Sequence, residues 1–405
     1  MPQPQANGQA DAMKANLAAR NLIVRNAVKR TQRIYSGTVD PATNPVLNIE
    51  PQNAGLILGF VINVRSNVAV AGGGTPLTLT PFGASNLLSQ VQFDDLSNNT
   101  RIKTPGWHLG LIDAARSGIP YLGVQTLDAY PVDFDNHDGT LAQAADSIAA
   151  AADSDVAFTY YVPIAYSEDD LRGAIWASVV SATMNLQLTL NQIATAVQAR
   201  TQSAGSDAIY VTADSGTPPS GVTFGSNFSI DVYQVYYDQL PEINVNGRMQ
   251  PLLPLDDLST FYDIKQTSYT GLSANQAFPI PYSNYRDYLA TYVVYRNRAA
   301  AKGAQGFVNL GDVTEWLLNT ANFTEVWRVQ DRIARAWGRQ AVEADFPLGS
   351  YYFPSRQKTI STKTFGNMNL NITAADVQTG AACLVAYESF GRLRQIAQAA
   401  GIGGS

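Results

Sequence analysis

Short apolar runs, rich in β-branched and aromatic residues and bounded by Asn, Pro and Gly, recur along the chain. That pattern predicts strands rather than long helices. One pair of runs is written twice. NPVLNIEPQNAGLILGFVINVRSN at 44–67 is answered by NQAFPIPYSNYRDYLATYVVYRNR at 275–298, and an ungapped shift of 231 positions lays Asn44 on Asn275, Ile49 on Ile280, Asn53 on Asn284, Leu58 on Leu289 and Arg65 on Arg296. LILGFVINV and YLATYVVYR are almost continuously apolar, as expected of strands covered on both faces, inside a sandwich or at a subunit interface. A weaker echo, TYYVP at 159–163 against SYYFP at 350–354, has an offset of 191, so the first unit holds 40 more residues between equivalent strands. Closure entropy rises only with the logarithm of length, so the surplus is expected in loops.

Further strand candidates are LTLTPF, SQVQFDD, DVAFTYYVP, MNLQLTLN, DAIYVTA and FSIDVYQVYYDQL in the first unit, then GSYYFPS, TISTKTF, NMNLNIT and CLVAYESF in the second. They suggest an all-β protein of two antiparallel sandwiches or jelly rolls in series. Helical patterns are short interruptions. Residues 325–344 place Val326, Val329, Ile333 and Trp337 on one helical face, and SEDDLRGAIWA opens with Ser167 three residues before Asp170, the form of a capping box. PLLPLDDLSTFYDI at 251–264 reads as a connector with a short helical turn. The predicted organisation is an amino-terminal arm over 1–35, a first barrel over 36–245, a connector over 246–265, a second barrel over 266–395 and a tail over 396–405.

Composition supports this division. A chain of 405 residues exceeds the size of one ordinary core, and 45% hydrophobic with 15% charged residues excludes global disorder. The net charge of −6 is uneven: residues 1–35 hold Lys14, Arg20, Arg25, Lys29, Arg30 and Arg33 against Asp11 alone, a net of +5, which leaves −11 for the rest. On a helical projection Met13, Leu17, Val24, Val28 and Tyr35 form one narrow stripe with basic residues around it. The arm is therefore predicted as a basic amphipathic helix over 10–35 that lies on a membrane surface or docks on a partner. Its candidate contact residues are Lys14, Leu17, Arg20, Val24, Arg25, Val28, Lys29, Arg30 and Arg33. MPQPQANGQADAMK has no apolar signal-peptide core, and no run approaches the roughly 18 apolar residues of a membrane span. Synthesis and folding in a reducing cytoplasm are expected.

Catalytic resources are thin. His108 and His137 are the only histidines and Cys383 the only cysteine, so no zinc site of several His and Cys ligands can be assembled, and Cys383, in the run AACLVAY, reads as a buried strand thiol. His108, in PGWHLGLIDAARSG, reads as a helix residue packed locally. DFDNHDG at 133–139 resembles a calcium loop but has His137 at the fifth position and Ala144 at the twelfth, where oxygen ligands belong, so a solvated turn is the expectation. AGGGTP at 71–76 reads as a hairpin tip rather than a phosphate cradle. Arg328, Arg332, Arg335 and Arg339 read as a helix face paired with Asp331 and Glu343, or as a subunit contact, rather than a nucleic-acid surface. No cofactor, metal or sequence-specific nucleic acid is expected.

GWHL (106–109), VPIAYSEDDL (162–171), YDQLP (237–241), LPLDDLSTFYD (253–263), TANFTE (320–325) and DFPLGSYYF (345–353) resemble the major capsid protein of tectiviruses, tailless bacteriophages with a membrane inside the protein shell. The resemblance implies a double jelly roll of two eight-stranded barrels, with short flanking helices. It further implies a homotrimer of pseudo-hexagonal outline that contacts neighbouring capsomers, penton and minor capsid proteins, and an amino-terminal helix facing the internal viral membrane. The expected location is the virion capsid, after synthesis in the host bacterial cytoplasm. Residues 135–155 and 203–221 match the family poorly and read as variable surface loops tolerant of insertion. The alternative is a jelly-roll carbohydrate-binding protein, a lectin or spike. Its 20 tyrosines and five tryptophans would suit sugar stacking, but most tyrosines fall in strand runs where packing is the default. A glycosidase would need two carboxylates across a cleft, whereas Asp94-Asp95 and Asp256-Asp257 read as turn residues.

Overall fold

The computed structural model describes residues 5–117, 142–177, 183–199, 208–213, 217–225, 227–297, 310–320, 325–342, 346–355, 360–362 and 366–392. The first unit is built from β1 (Val28–Val39), β2 (Val46–Ile49), β3 (Leu56–Val70), β4 (Leu88–Asp94), β5 (Thr100–Thr104), β6 (Ala152–Pro163), β7 (Asn185–Leu190) and β8 (Phe228–Asp238). Its two sheets run β1-β8-β3-β6 and β2-β7-β4-β5. The second unit has β9 (Thr260–Thr270), β10 (Ala277–Pro281), β11 (Asp287–Arg296), β12 (Val313–Thr320), β13 (Glu325–Gln330), β14 (Ser350–Pro354), β15 (Met368–Ala374) and β16 (Ala382–Arg392). Its sheets run β9-β16-β11-β14 and β10-β15-β12-β13. Adding eight to every label of the first unit yields the second: one jelly-roll topology, used twice.

The two sequence offsets describe a single conserved contact. Ile62 on β3 pairs with Tyr160 on β6, and Val293 on β11 pairs with Tyr351 on β14. A shift of 231 carries Ile62 to Val293 and a shift of 191 carries Tyr160 to Tyr351, so the strand register is the same in both barrels. A helix follows the equivalent strands in each unit, α2 (Gly106–Ser117) after β5 and α3 (Asp331–Val342) after β13. These helices are offset by 225, so most of the surplus of 40 lies in the single connection from α2 to β6.

Each barrel has its own core, Phe60, Ile62, Phe93, Phe158, Leu188 and Val232 among others in the first, and Ile264, Val293, Trp316, Leu370 and Val385 in the second. The outward faces of the two repeated strands are covered by the chain itself. Leu56, Leu58 and Val61 of β3 pack with Ile23 of α1 (Gln5–Asn26) and with Leu171, Ala174 and Tyr237. Trp107, Leu111 and Ile112 of α2 join the cluster that contains Tyr292 and Val294 of β11. The apolar character of YLATYVVYR is therefore satisfied by a helix of the first unit and does not itself require a subunit interface. The barrels are also joined edge to edge. β5 pairs in parallel with β9, Ile102 opposite Ile264 and Lys103 opposite Lys265, so one sheet runs continuously from β2 to β14.

Several expectations change. The arm helix ends at Asn26, and Val28, Lys29, Arg30, Arg33 and Tyr35 lie on β1, which pairs antiparallel with β8 from Val28 opposite Asp238 to Val39 opposite Phe228. The second barrel's first strand starts at Thr260, inside the stretch expected as connector, where the predicted helical turn is Leu255–Leu258. Residues 325–330 are a strand rather than helix because they pair with β12, and Val326 and Ile333 are exposed while Ala334 is buried. In SEDDLRGAIWA the Asp170 amide does donate to Ser167 Oγ at 3.0 Å, yet no helix follows. Gly173 adopts φ of 90°, and a Cβ there would meet the Ile164 carbonyl oxygen at 2.8 Å, so the capping geometry serves a turn. AGGGTP is a corner between two sheets, since β3 and the short strand Leu77–Leu79 belong to different ones. The 203–221 stretch contains the strand Tyr210–Thr212, with Ile209 and Tyr210 fully buried, and the 135–155 stretch contains Ser147–Ile148 and the start of β6. His137 and DFDNHDG lie outside the described residues.

Candidate functional site

The arm meets the body where the connector, the first barrel and the carboxy-terminal strand converge. Ile23 is the apolar plug, with no exposed surface. One turn earlier, Arg20 makes a bidentate contact with Asp257 on the Leu255–Leu258 turn, Nε to Oδ2 at 2.7 Å and Nη2 to Oδ1 at 2.6 Å, and it also lies 3.4 Å from Asp170. Asn16 Nδ2 donates to Asp257 Oδ1 at 2.9 Å, and Asn16 Oδ1 accepts from the Asp256 amide at 3.0 Å. The hydrogen bond with Asp257, against an opposing desolvation, raises the Arg20 pKa and fixes its charge. Asp257 is almost wholly buried, so this is an anchoring contact and not a solvated surface pair.

The remaining basic residues divide into two groups. Lys29 pairs with Glu168 at 2.6 Å, Arg30 with Asp238 at 2.7 Å and Arg33 with Asp231 at 3.9 Å, all along or beside β1. Four of the six cations of the arm are thus matched by carboxylates of the body. Lys14 and Arg25 are exposed and form no ion pair among the described residues. Against Asp11 they leave a net of +1 on α1, not the +5 of the whole segment. Met13 is 74% and Leu17 51% exposed, Leu22 and Val28 are also exposed, and Val24 is half-buried. The predicted stripe through Met13, Leu17 and Val24 is therefore adjacent to the docked face of α1, which is formed by Asn16, Ala19, Arg20 and Ile23.

A second constellation lies on the seam between the barrels. Arg116, near the end of α2, donates from Nη2 to Glu388 Oε1 of β16 at 2.5 Å and to the Tyr262 hydroxyl of β9, and from Nη1 to the Tyr166 carbonyl at 3.1 Å. Glu388 also accepts from Tyr262 at 3.1 Å and Tyr292 at 3.3 Å. Burial opposes the charge on Arg116, but the Glu388 carboxylate outweighs it and raises the guanidinium pKa. Tyr166 meets both Tyr262 and Phe390 edge to face beside the pair, Tyr262 and Phe390 are tilted against each other, and Arg172 lies 4.3 Å over the Phe390 ring. Deeper in the first barrel, Arg101 is held by Asp95 at 2.8 Å and the Gly173 carbonyl at 2.7 Å while covering Phe261. These contacts lock two barrels into one body. Sequence reading missed them, because the partners are far apart in the chain and no local spacing signals the pair.

The histidine and the cysteine that lie within the described residues are both buried. His108 is fully buried against Trp107, and burial pushes its pKa well below the ordinary histidine value. Burial likewise raises the Cys383 thiol, which makes it inert. Among the described residues no group of three or more His, Cys, Asp or Glu side chains is placed to hold a metal, and no helix is long and apolar enough to cross a membrane.

Comparison with known proteins decides the family. Residues 2–240 match the P3 major capsid protein N-terminal model and residues 259–403 the P3 major capsid protein C-terminal model. The chain belongs to the P3 major capsid protein family. It is 33% identical over 380 residues to major capsid protein P3 of Enterobacteria phage PRD1, covering 94% of this chain and 91% of that one. The fold is shared more widely. A chain from the atomic structure of Sulfolobus Turreted Icosahedral Virus superposes with a TM-score of 0.60 at 13% identity, over 92% of this chain and 93% of that one. The Faustovirus major capsid protein gives 0.52 at 9% identity, over 90% and 91%. The protein is thus a structural major capsid protein of the virion, with the double jelly-roll fold, and its relatives are structural capsid proteins. Nothing in the comparisons supports the carbohydrate-binding alternative.

Proposed function

We propose that three copies form a pseudo-hexagonal capsomer and that these capsomers tile an icosahedral shell around an internal membrane, meeting one another, penton proteins and minor capsid proteins at their rims. The observation that carries this reading is the equality of the two barrels in strand order and register. A near-sixfold outline needs six similar bodies, and three chains of two barrels each supply them under threefold symmetry. Exposed apolar side chains on the barrel flank, Val326 and Ile333, and on the Glu242–Pro251 hairpin, Ile243, Val245 and Met249, support lateral contacts between copies. Sedimentation velocity of the soluble protein is expected to show a trimer, and a monomer at micromolar concentration overturns the capsomer. Cryo-electron microscopy of particles reads copy number and symmetry directly.

The membrane is assigned to the exposed side of α1, where Lys14 and Arg25 are unengaged by the body, with Met13 and Leu17 exposed at its edge beside the docked face. Each basic residue near an anionic surface contributes about 1 kcal/mol, so one arm binds weakly and depends little on salt; the lattice of arms supplies the strength. Removing the whole arm would strip Ile23 and Arg20 from their partners, so the discriminating variants are Met13→Asp and Leu17→Asp. Loss of co-flotation with anionic vesicles in these variants, with trimers intact, is expected. Unchanged flotation makes α1 a docking element of the shell alone.

A further inference from the structure

The seam inside the chain sets β5 and α2 of the first barrel against β9 and β11 of the second. Shared register lets the same seam be traced on the outer sides of the molecule. The ladder Ile49, Leu186, Phe93, Ile102 of the first barrel recurs in the second as Ile280, Leu370, Leu318, Trp327, so Trp327 on β13 stands where Ile102 stands on β5. On the other side, Thr31 pairs with Val235 and Val235 with Gly59, just as Ile264 pairs with Glu388 and Glu388 with Ala290. Thr31 on β1 therefore stands where Ile264 stands on β9. Both β13 and β1 are edges of their sheets, and among the described residues no strand pairs with their outer sides.

Exposure follows the same division. Ile102 and Ile264 are buried, whereas Trp327 is half-buried and Thr31 exposed. Across the seam Arg101 covers the Phe261 ring, and both are buried; their counterparts, Val326 and Val28, are valines exposed at 46% and 43%. On the helices, Leu109 of α2 and its counterpart Ala334 of α3 pack on their own barrels, and both are buried. Trp107 and Leu111 of α2 pack on the other barrel, but their counterparts Arg332 and Ala336 are exposed, as is Ile333 beside them. The second barrel thus keeps an open copy of the surface that the first barrel uses in the seam, and the first barrel keeps an open copy of its receptor. Long open edges and exposed apolar side chains are features that a lone domain avoids.

We infer that β13 and α3 of one copy dock on β1 of a second copy, with the strands parallel and Trp327 opposite Thr31, Arg328 opposite Gln32. This repeats between chains the contact that Ile102 and Ile264, Lys103 and Lys265 make within one. The contact is head to tail, so every chain presents β13 on one side and receives it on β1 at the other, which closes a ring. An apolar pair, Val326 and Val28, takes the place of Arg101 over Phe261. The locking ion pair is not repeated, since Arg116 and Glu388 have Ala341 and Val235 as counterparts, so the contact between chains opens before the seam within a chain. The inference rests on the proposed trimer and names the surfaces that meet in it.

Its test uses the full chain carrying Gln32→Cys and Arg328→Cys, at two exposed positions, treated with a short bis-maleimide; Cys383 is buried and adds no background. Covalent dimers and trimers on a denaturing gel are expected. Each single variant alone is expected to remain uncross-linked, and co-expression of the two single variants to give covalent dimers but no covalent trimers, as a head-to-tail ring requires. Cross-linking of either single variant with itself overturns the contact. Sedimentation without the cross-linker separates the two ways of failing: a trimer whose double variant does not cross-link overturns the strand contact and leaves the trimer standing, whereas a monomeric parent overturns both. Val326→Asp, at a side chain exposed in the single chain, is expected to keep the fold and to raise the concentration of half-dissociation about tenfold or more. A trimer as strong as the parent's in that variant also overturns the contact.

Discussion

His108 makes the fold sensitive to acid, and replacing it with leucine should remove that sensitivity. The ring is wholly buried, its centroid 3.7 Å from that of Trp107, and neither nitrogen has a hydrogen-bond partner. Burial holds its folded-state pKa well below 6.5, while the unfolded chain takes up a proton near that value. Below pH 6.5 the unfolded state therefore binds more protons, and stability falls by about 1.4 kcal/mol per pH unit until the pH approaches the depressed folded value. From pH 6.5 to 4.5 the loss has an upper limit of about 2.3 kcal/mol, since the unfolded imidazole is only half protonated at pH 6.5. An unfolding entropy of roughly 2.1 cal/mol/K per residue over 405 residues converts this to about 3 °C if the chain melts as one unit. Scanning calorimetry of the parent and His108→Leu between pH 4.5 and 7.5 is the assay. Above pH 7 the variant should melt at or above the parent, because the unmet ring nitrogens cost about 1–3 kcal/mol. Below pH 6.5 the two curves should separate further by about 3 °C, from the same entropy scale. His137 is common to both proteins and cancels. Parallel curves throughout, or a variant less stable at every pH, would refute the reasoning.

Removing one partner of the seam pair should cost far more than removing both. Arg116→Met strands Glu388 and should lose about 3–5 kcal/mol, and adding Glu388→Gln should restore much of it in a thermal double-mutant cycle; an additive loss would contradict the coupling. Arg20→Ala strands the buried Asp257 and should loosen α1, read as faster hydrogen exchange over 11–26, whereas Lys29→Ala removes a half-exposed pair worth about 0–1 kcal/mol and should leave exchange there unchanged. A short polar insertion after Tyr210 should abolish soluble protein because Ile209 and Tyr210 are buried, while the same insertion after Asn246, at the tip of an exposed hairpin, should be tolerated. Equal yields would show that the buried strand does not matter.

The alternation and repetition of apolar runs by themselves determined the class, the two barrels and their equivalence, since a strand's period-two pattern and a shared register are local properties of the chain. The family blocks and the short connector turn were legible for the same reason. What only the tertiary structure decided depends on partners remote in sequence. The helical stripe through Met13, Leu17, Val24 and Val28 continued on paper to Tyr35, but pairing with β8, some two hundred residues away, turns 28–39 into a strand. The net of +5 on the arm looked available to a surface until Asp257, 237 positions from Arg20, Glu168 and Asp238 were found against it. YLATYVVYR was open to either a sandwich interior or a subunit interface until α2 of the other barrel covered it. Local pattern fixes which faces must be buried, but the fold chooses what buries them, because burial and charge pairing are settled by contacts that close across the whole chain.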